Sequence, residues 1–123
     1  MDRYLDVLAR RAAMVREWRR HVAEIASAAR SVLPDARVYV FGSAVRGEAV
    51  GGSDVDVLVV SRRVPSSAIE RGRLRAMIED AAGLPDFHPF EIHVVDEGEA
   101  GWYFARAKEM VPVDVEDEGS GGA

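Results

Sequence analysis

Residues 42–56 read Gly-Ser-Ala-Val-Arg-Gly-Glu-Ala-Val-Gly-Gly-Ser-Asp-Val-Asp, and they lie between two apolar runs, residues 38–41 and 57–60. Ten residues separate Ser43 from Asp54, and Asp56 follows two positions later. Apolar, β-branched runs bounded by glycine are typical of buried strands. The stretch therefore predicts two strands joined by a glycine-rich connection, with a Gly-Ser turn at one end and a pair of carboxylates at the other.

The composition predicts one globular domain. The chain has 123 residues, of which 48% are hydrophobic and 30% charged, and its net charge is -5 at pH 7. Residues 1–113 are predicted to form this single domain, and the acidic, Gly/Ser-rich tail at 114–123 is predicted to be disordered. The negative charge argues against direct nucleic-acid binding, because that affinity rests on neutralising phosphates.

No part of the sequence predicts insertion into a membrane. No apolar stretch approaches the ~20 residues that cross a bilayer, and the N-terminus lacks the apolar core of a signal peptide. A cytoplasmic location is therefore expected. The chain has no cysteine, which excludes disulfides, a thiol nucleophile and a thiolate metal site.

Several residue types are missing from the chain. Asn, Gln, Thr and Cys are absent, and Lys108 is the single lysine. Loss of the thermolabile residues Asn, Gln and Cys is typical of heat-adapted proteins, so a thermophilic source is predicted. Coding bias in a GC-rich genome is the alternative, although it explains the missing Gln less readily.

Hydrophobic periodicity and helix-stop signals divide the chain into alternating helices and strands. Apolar residues recur at helical spacing from residue 2 to about 32, where Pro34 ends the stripe. The remaining predicted elements are a strand at 37–41, a short helical or irregular segment, a strand at 54–60, a helix from 65 to about 82, a strand at 90–95 and a helix from about 97 to 110. This order predicts an α/β (α+β) fold with a small mixed sheet flanked by helices.

Three acidic residues fall on the predicted strands. Side chains two apart on a strand share a face, so Asp54 and Asp56 are expected to project together. Glu91 lies inside a third apolar strand, where an unpaired charge is costly. Carboxylates this close hold their charge when a cation lies between them, and oxygen ligands favour Mg²⁺ or Mn²⁺. Asp54, Asp56 and Glu91 are therefore predicted to be catalytic metal ligands.

The Gly-Ser turn is predicted to bind the phosphates of a nucleotide. Glycine allows the backbone to approach a ligand closely, and backbone amides at a helix start favour an anion. The Ser43 hydroxyl can donate to a terminal phosphate. Arg46 follows one helical turn later and can pair with the same triphosphate. Gly42, Ser43 and Arg46 are therefore the predicted nucleotide-binding residues.

Each of these features alone has an ordinary explanation. A Gly-Ser pair is a turn in most proteins, two aspartates at a strand start are often a solvated edge, and Glu91 could pair with an arginine. His93 shares the face of Glu91 and is interpreted as a structural histidine. Arg106 and Lys108 are interpreted as a solvated helix end. The functional interpretation depends on the order of the three features together.

The motif Gly42-Ser43, ten residues, then Asp54-Val55-Asp56 resembles the signature of the DNA polymerase β-type nucleotidyltransferase superfamily. More narrowly, it resembles the minimal nucleotidyltransferases of archaea and bacteria, over residues 36–96. In that family the Gly-Ser pair contacts the triphosphate, the Asp-x-Asp pair binds magnesium and a later acidic residue completes the site. Glu91 takes that third position, where the wider superfamily more often has Asp.

The resemblance implies transfer of AMP from ATP to an acceptor hydroxyl. It also implies a separate helical partner of the HEPN type, with this chain as the antitoxin half of a toxin-antitoxin pair. Two alternatives stay open: a non-catalytic module that docks to and neutralises a partner, and a sensor that binds a nucleotide unchanged. Trp18 is interpreted as a mark of an exposed apolar patch, which leaves open a homodimer seam or a docking surface.

Overall fold

A computed structural model describes residues 2–50 and 52–113, so the tail at 114–123 lies outside the described residues. The described residues form four helices and four strands around one sheet, as expected for an α+β fold. In chain order these are α1 (Arg3–Arg16), α2 (Trp18–Val32), β1 (Arg37–Phe41), β2 (Val55–Val60), α3 (Ala68–Ala81), β3 (Phe90–Val95), α4 (Glu97–Arg106) and β4 (Met110–Pro112).

The sheet is mixed, and its strand order is β3-β2-β1-β4. β1 pairs antiparallel with β2 and with β4, whereas β2 and β3 are parallel. Parallel neighbours need a long crossover, and α3 supplies it. The predicted mixed sheet is thus confirmed, and β3 and β4 form its two edges.

Alternation along the strands divides the sheet into two faces. The odd-numbered residues of β2 and the even-numbered residues of β1 and β3 pack against α2 and α3, because successive side chains of a strand point to opposite faces. We call this the large cluster. Its buried residues are Val22, Ile25, Ala26, Ala28, Ala29, Leu33, Ala36, Val38, Val40, Ala44, Val55, Val57, Val59, Ile78, Phe90, Ile92 and Val94.

The opposite face is covered at one end by α4. Its buried residues, which we call the small cluster, are Leu58, Val60, Val95 and Ala100. An Asp96 capping box fixes the start of α4, since the Asp96 side chain accepts from the Glu99 amide and the Glu99 side chain accepts from the Asp96 amide. Residues 57–60 of β2 are therefore buried on both faces, as their apolar character predicts.

The predicted first helix is two helices. The helix is interrupted at Glu17, whose backbone amide donates to the carbonyls of Ala13 and Val15. The second helix, α2, begins at Trp18. No proline or glycine marks the break, so the apolar spacing passes through it without interruption. Trp18 is half-buried against the large cluster, and the exposed large apolar residues of α1 are instead Tyr4, Leu5 and Leu8.

Three further boundaries differ from the sequence prediction. Asp54 precedes β2, which begins at Val55, so the second predicted strand starts one residue too early. Residues 42–47 form turns and no regular helix. The last helix ends at Arg106, and β4 follows it. A three-residue edge strand carries too short an alternation to be recognised, and Pro112 is compatible with it because an edge strand tolerates a missing donor.

No helix in the described ranges combines the length and the apolar character needed to cross a bilayer.

The connection after α2 is tied to the end of β2 by polar contacts. The Ser61 hydroxyl donates to Asp35 Oδ1 at 2.6 Å, and the Arg62 amide donates to Oδ2 at 2.9 Å. The hydrogen bond from Ser61 and then that from Arg62 lower the pKa of Asp35 below its usual value.

Replacing Asp35 by asparagine is expected to lower the urea midpoint of unfolding at neutral pH. A lowered pKa in the folded state stabilises the fold above the unfolded value of about 3.9, and that stabilisation is lost as the pH falls through the folded-state pKa. The difference between Asp35→Asn and the unchanged chain should therefore shrink as the solution is acidified. Urea titrations over a pH series measure it.

Asp86→Asn is the matched control, since Asp86 is exposed and forms no hydrogen bond within the described part of the chain. A gap between Asp35→Asn and the unchanged chain that stays constant with pH would contradict the linkage.

Candidate functional site

Asp56 and Glu91 meet where β2 and β3 run side by side. The two residues are paired in the parallel register, and both point to the face that α4 covers only in part. Their side chains are 29% and 54% exposed. Carboxylate oxygens of Asp56 and Glu91 and a ring nitrogen of His93 all lie within 4.8 Å of one another. The structure thus brings together two of the three predicted acids and adds a histidine.

His93 lies beside the two acids. Its Nε2 is 3.6 Å from Asp56 Oδ1 and 3.5 Å from Glu91 Oε1. The ring packs near Phe41 and Tyr103, with centroid separations of 5.9 and 5.5 Å. Nε2 is buried and has no hydrogen-bond partner among the residues that the structure describes. The ring packing of His93 agrees with a structural histidine. The absence of a hydrogen-bond partner for Nε2 among the described residues does not.

Asp54 is not part of this group and pairs with an arginine of α1 instead. Its Oδ1 accepts a hydrogen bond from Arg11 Nη2 of α1 at 2.5 Å. The Arg11 side chain is 19% exposed and that of Asp54 is 55% exposed. The ion pair with the Arg11 guanidinium neutralises the Asp54 carboxylate, as a metal ion would. The structure therefore leaves Asp54 outside the group of three, although only one residue lies between it and Asp56.

Gly42 lies close to the Asp56 carboxylate. Its φ of +91° lies in the region that glycine adopts readily and other residues rarely. A Cβ atom built on Gly42 would lie 2.6 Å from Asp56 Oδ2. The close approach follows from the β1–β2 register, in which Phe41 is opposite Asp56. Only glycine lets the turn and the Asp56 carboxylate occupy the same corner.

Ser43 begins the turn that follows Gly42. Its carbonyl accepts from the Glu48 amide at 2.9 Å, and the Ala44 carbonyl accepts from the Gly47 amide at 3.1 Å. Ala44 is buried in the large cluster, which fixes the turn to the body of the protein. Arg46 is held by Glu48, with Nε 3.0 Å from Oε1. The three predicted nucleotide-binding residues therefore lie in one anchored turn.

A basic groove of about 480 Å³, which we call the Gly42 groove, opens beside this turn. Arg46 lines it together with its ion-pair partner Glu48. Arg106, the last residue of α4, and Lys108, which follows the helix, also line it. Arg106 lies over the Trp102 ring at 4.1 Å and donates to the Trp102 carbonyl. Both side chains are exposed, in agreement with a solvated helix end, and the packing of α4 places them beside Arg46.

A second groove of about 620 Å³ follows the outer edge of β3, between α3 and α4, and we call it the β3-edge groove. Arg71 and Glu99 form an ion pair across it at 2.7 Å. His93 and the half-exposed Trp102 also line it. The acidic group therefore has the Gly42 turn on one side and an open groove on the other.

The group of Asp56, Glu91 and His93 fits a divalent cation. Two carboxylates in one register row repel each other unless a positive charge lies between them. The buried Nε2 of His93, which has no hydrogen-bond partner among the described residues, also favours a bound ion, because buried polar atoms are rarely left without a partner. A cation bound here would neutralise phosphate oxygens of a nucleotide lying on the Gly42 turn.

Comparisons with known proteins agree with the fold described above. A candidate nucleotidyltransferase from Sulfolobus solfataricus shares the fold with a TM-score of 0.55 and 24% identity, over 88% of this chain and 83% of that one. A second candidate nucleotidyltransferase gives a TM-score of 0.54 and 26% identity, over 76% of this chain and 98% of that one. No curated protein sequence is significantly similar.

The family model of the nucleotidyltransferase domain matches residues 22–109, which is most of the chain. The chain therefore belongs to the nucleotidyltransferase domain family, and it is an enzyme of nucleotidyl transfer. The resemblance inferred from the Gly-Ser and Asp-x-Asp motif is confirmed, as is the predicted fold. A nucleotide is the substrate that this family implies.

Gly42→Ala and Gly83→Ala form a matched pair that isolates the contact with Asp56. Both glycines have positive φ, but a Cβ at Gly83 would meet nothing within 4 Å. Each substitution should lower the free energy of unfolding by about 1–2 kcal/mol through backbone strain. Only Gly42→Ala should also weaken ATP binding in the presence of Mg²⁺, by about tenfold, because it displaces the Asp56 carboxylate.

Chemical denaturation and titration calorimetry measure the two effects. Equal ATP affinity in the two variants would show that the approach of Gly42 to Asp56 has no role in binding.

Proposed function

We propose that this enzyme transfers AMP from ATP to an acceptor hydroxyl in a reaction that depends on a divalent cation. The observation that carries the proposal is the meeting of Asp56 and Glu91 in one register row, beside a Gly42 turn where an added Cβ would lie 2.6 Å from Asp56 Oδ2. Cation ligands and a phosphate-binding turn in direct contact are what nucleotidyl transfer requires.

The proposed roles follow from position. Asp56 and Glu91 hold the cation, and Gly42, Ser43 and Arg46 hold the triphosphate. Asp54 would be a further ligand of that cation if its carboxylate were released from the Arg11 guanidinium. The bound Mg²⁺ or Mn²⁺ supplies charge neutralisation at the phosphates and lowers the pKa of the acceptor hydroxyl.

The reaction itself is a single displacement at phosphorus. The acceptor oxygen forms a bond to the α-phosphorus of ATP, and the bond from that phosphorus to the α–β bridging oxygen breaks. Pyrophosphate leaves, and the hydroxyl proton passes to solvent. The chain's residues contribute by orienting the triphosphate in line with the acceptor and by balancing its charge.

The proposed setting is cytoplasmic, beside a separate helical protein of the HEPN type that carries the acceptor hydroxyl. The acceptor is proposed to come from that separate molecule. The β3-edge groove, which His93 shares with the acidic group, is the open approach for that acceptor. A homodimer is not required by any of these roles.

The competing proposal is a module that docks to a partner without chemistry. Asp56 and Glu91 argue against it, because a docking surface gains nothing from two carboxylates held in one row. Incubation with ATP labelled at the α-phosphate, Mg²⁺ and the HEPN-type protein separates the two. Label on the partner supports transfer, and a complex that carries no label supports docking. ATP that binds without either outcome supports a nucleotide sensor.

Asp56→Asn should lower transfer of the α-label by about 10²–10³-fold, the usual effect of losing one group that stabilises the transition state. The fold should remain intact, because the substitution removes a repelling charge. Asp86→Asn, the same change in an exposed loop, should transfer normally. Circular dichroism and label incorporation provide the readouts, and an unfolded Asp56→Asn variant would mean that the acid is structural.

Lys108→Met should raise KM for ATP by about fivefold to tenfold with little change in kcat, as expected for loss of about 1–1.4 kcal/mol of phosphate binding. Arg63→Met removes the same charge at the opposite end of β2, and its KM should not change. Initial rates over a range of ATP concentrations measure both. Equal KM values in the two variants would remove Lys108 from the binding site.

A further inference from the structure

The imidazole of His93 is the one feature of the site that the roles above leave unexplained. It lies two residues beyond Glu91 on β3, so the two side chains share a face of the sheet. Nearby rings of Phe41 and Tyr103 restrict the orientation of the imidazole. Although 24% of the side chain is exposed, Nε2 itself is buried and faces the two carboxylates.

The distances around Nε2 are close to those between ligands of one ion. Two ligands about 2.1 Å from a common cation, at angles of about 90–110°, lie about 3.0–3.5 Å apart. Nε2 is 3.6 Å from the Asp56 oxygen and 3.5 Å from the Glu91 oxygen. Small adjustments of the exposed Glu91 and the partly buried Asp56 carboxylates would complete three ligands around one centre.

Direct hydrogen bonding explains the geometry less well. A protonated imidazole between two carboxylates forms charge-assisted bonds of about 2.7–2.9 Å. Both contacts of Nε2 are longer than this by more than half an ångström, and neither is a hydrogen bond. A buried nitrogen held equally far from two oxygens is the arrangement expected around an ion.

We propose that His93 is a nitrogen ligand of the cation held by Asp56 and Glu91, and that the site therefore prefers Mn²⁺ to Mg²⁺. Mg²⁺ selects oxygen ligands almost exclusively, whereas first-row transition ions accept imidazole together with carboxylates. One nitrogen in the ligand set shifts the balance toward Mn²⁺. The inference rests on the proposed function only in taking this cation to be the one that acts on the nucleotide.

Mn²⁺ binding to the full chain without nucleotide tests the inference. The loss of the free-ion signal in electron paramagnetic resonance measures affinity, and competition with Mg²⁺ gives the preference, expected to be at least tenfold for Mn²⁺. Pulsed measurements should detect a directly bound ¹⁴N that changes to the ¹⁵N pattern in protein labelled with ¹⁵N-histidine. Absence of bound nitrogen, or equal affinity for the two ions, overturns the inference.

Variants of two histidines locate the nitrogen. His93→Phe keeps a ring near Phe41 and Tyr103 but removes the ligand, so the nitrogen signal should disappear. His21→Phe removes an imidazole on α2, on the opposite face of the sheet, and the signal should persist. His93→Gln, which offers an amide oxygen at a similar reach, covers the case of a Phe variant that does not fold. The His93→Gln variant should show no nitrogen signal, and its preference for Mn²⁺ over Mg²⁺ should be about tenfold lower than that of the unchanged chain.

The results also separate this inference from the proposed function. Nitrogen-bound Mn²⁺ without transfer of label from ATP supports the ligand and overturns the transfer proposal. Transfer with Mg²⁺ in a protein whose Mn²⁺ has no nitrogen ligand overturns the role of His93 and supports the transfer proposal. A nitrogen signal that survives in both His93 variants overturns the assignment.

Discussion

The register of three neighbouring strands holds the site together. Phe41, Asp56 and Glu91 lie in one row across β1, β2 and β3, so the residue before the Gly42 turn is opposite the first acid and the first acid is opposite the second. A shift of one residue in either pairing would move its side chains to the other face. Burial of the β2 valines against α2 fixes that register, so the core and the site depend on the same alignment.

The single helix on the α4 face determines what the site can reach. α4 covers the ends of β2 and β3 distant from the acids, and its last turn directs Arg106 toward the Gly42 groove. The same helix carries Trp102 and Tyr103 to the β3-edge groove. One element thus separates two openings, one basic and one partly apolar, with the acidic group between them. This division suits a nucleotide and an acceptor that enter from different sides.

Local pattern predicted what depends on neighbours in sequence, and it failed where distant segments meet. The three strands, the Gly-Ser turn and the adjacency of Asp56 and Glu91 follow from periodicity and strand geometry. β4 was missed because three residues are too few to show alternation. The interruption at Glu17 was missed because the helical spacing of apolar residues continues through it. The ion pair of Asp54 joins residues 43 positions apart, which no spacing rule reveals. The bare nitrogen of His93 is a property of atomic packing, and its residue type indicates only that a ligand is conceivable.

The scarcity of lysine has a practical consequence. Lys108 is the single lysine of the chain, and it lines the Gly42 groove. A reagent that acylates side-chain amines therefore has one target, at the entrance to the proposed triphosphate site. Protection of that amine by a bound nucleotide gives a direct chemical readout of occupancy, without mutation or an attached dye.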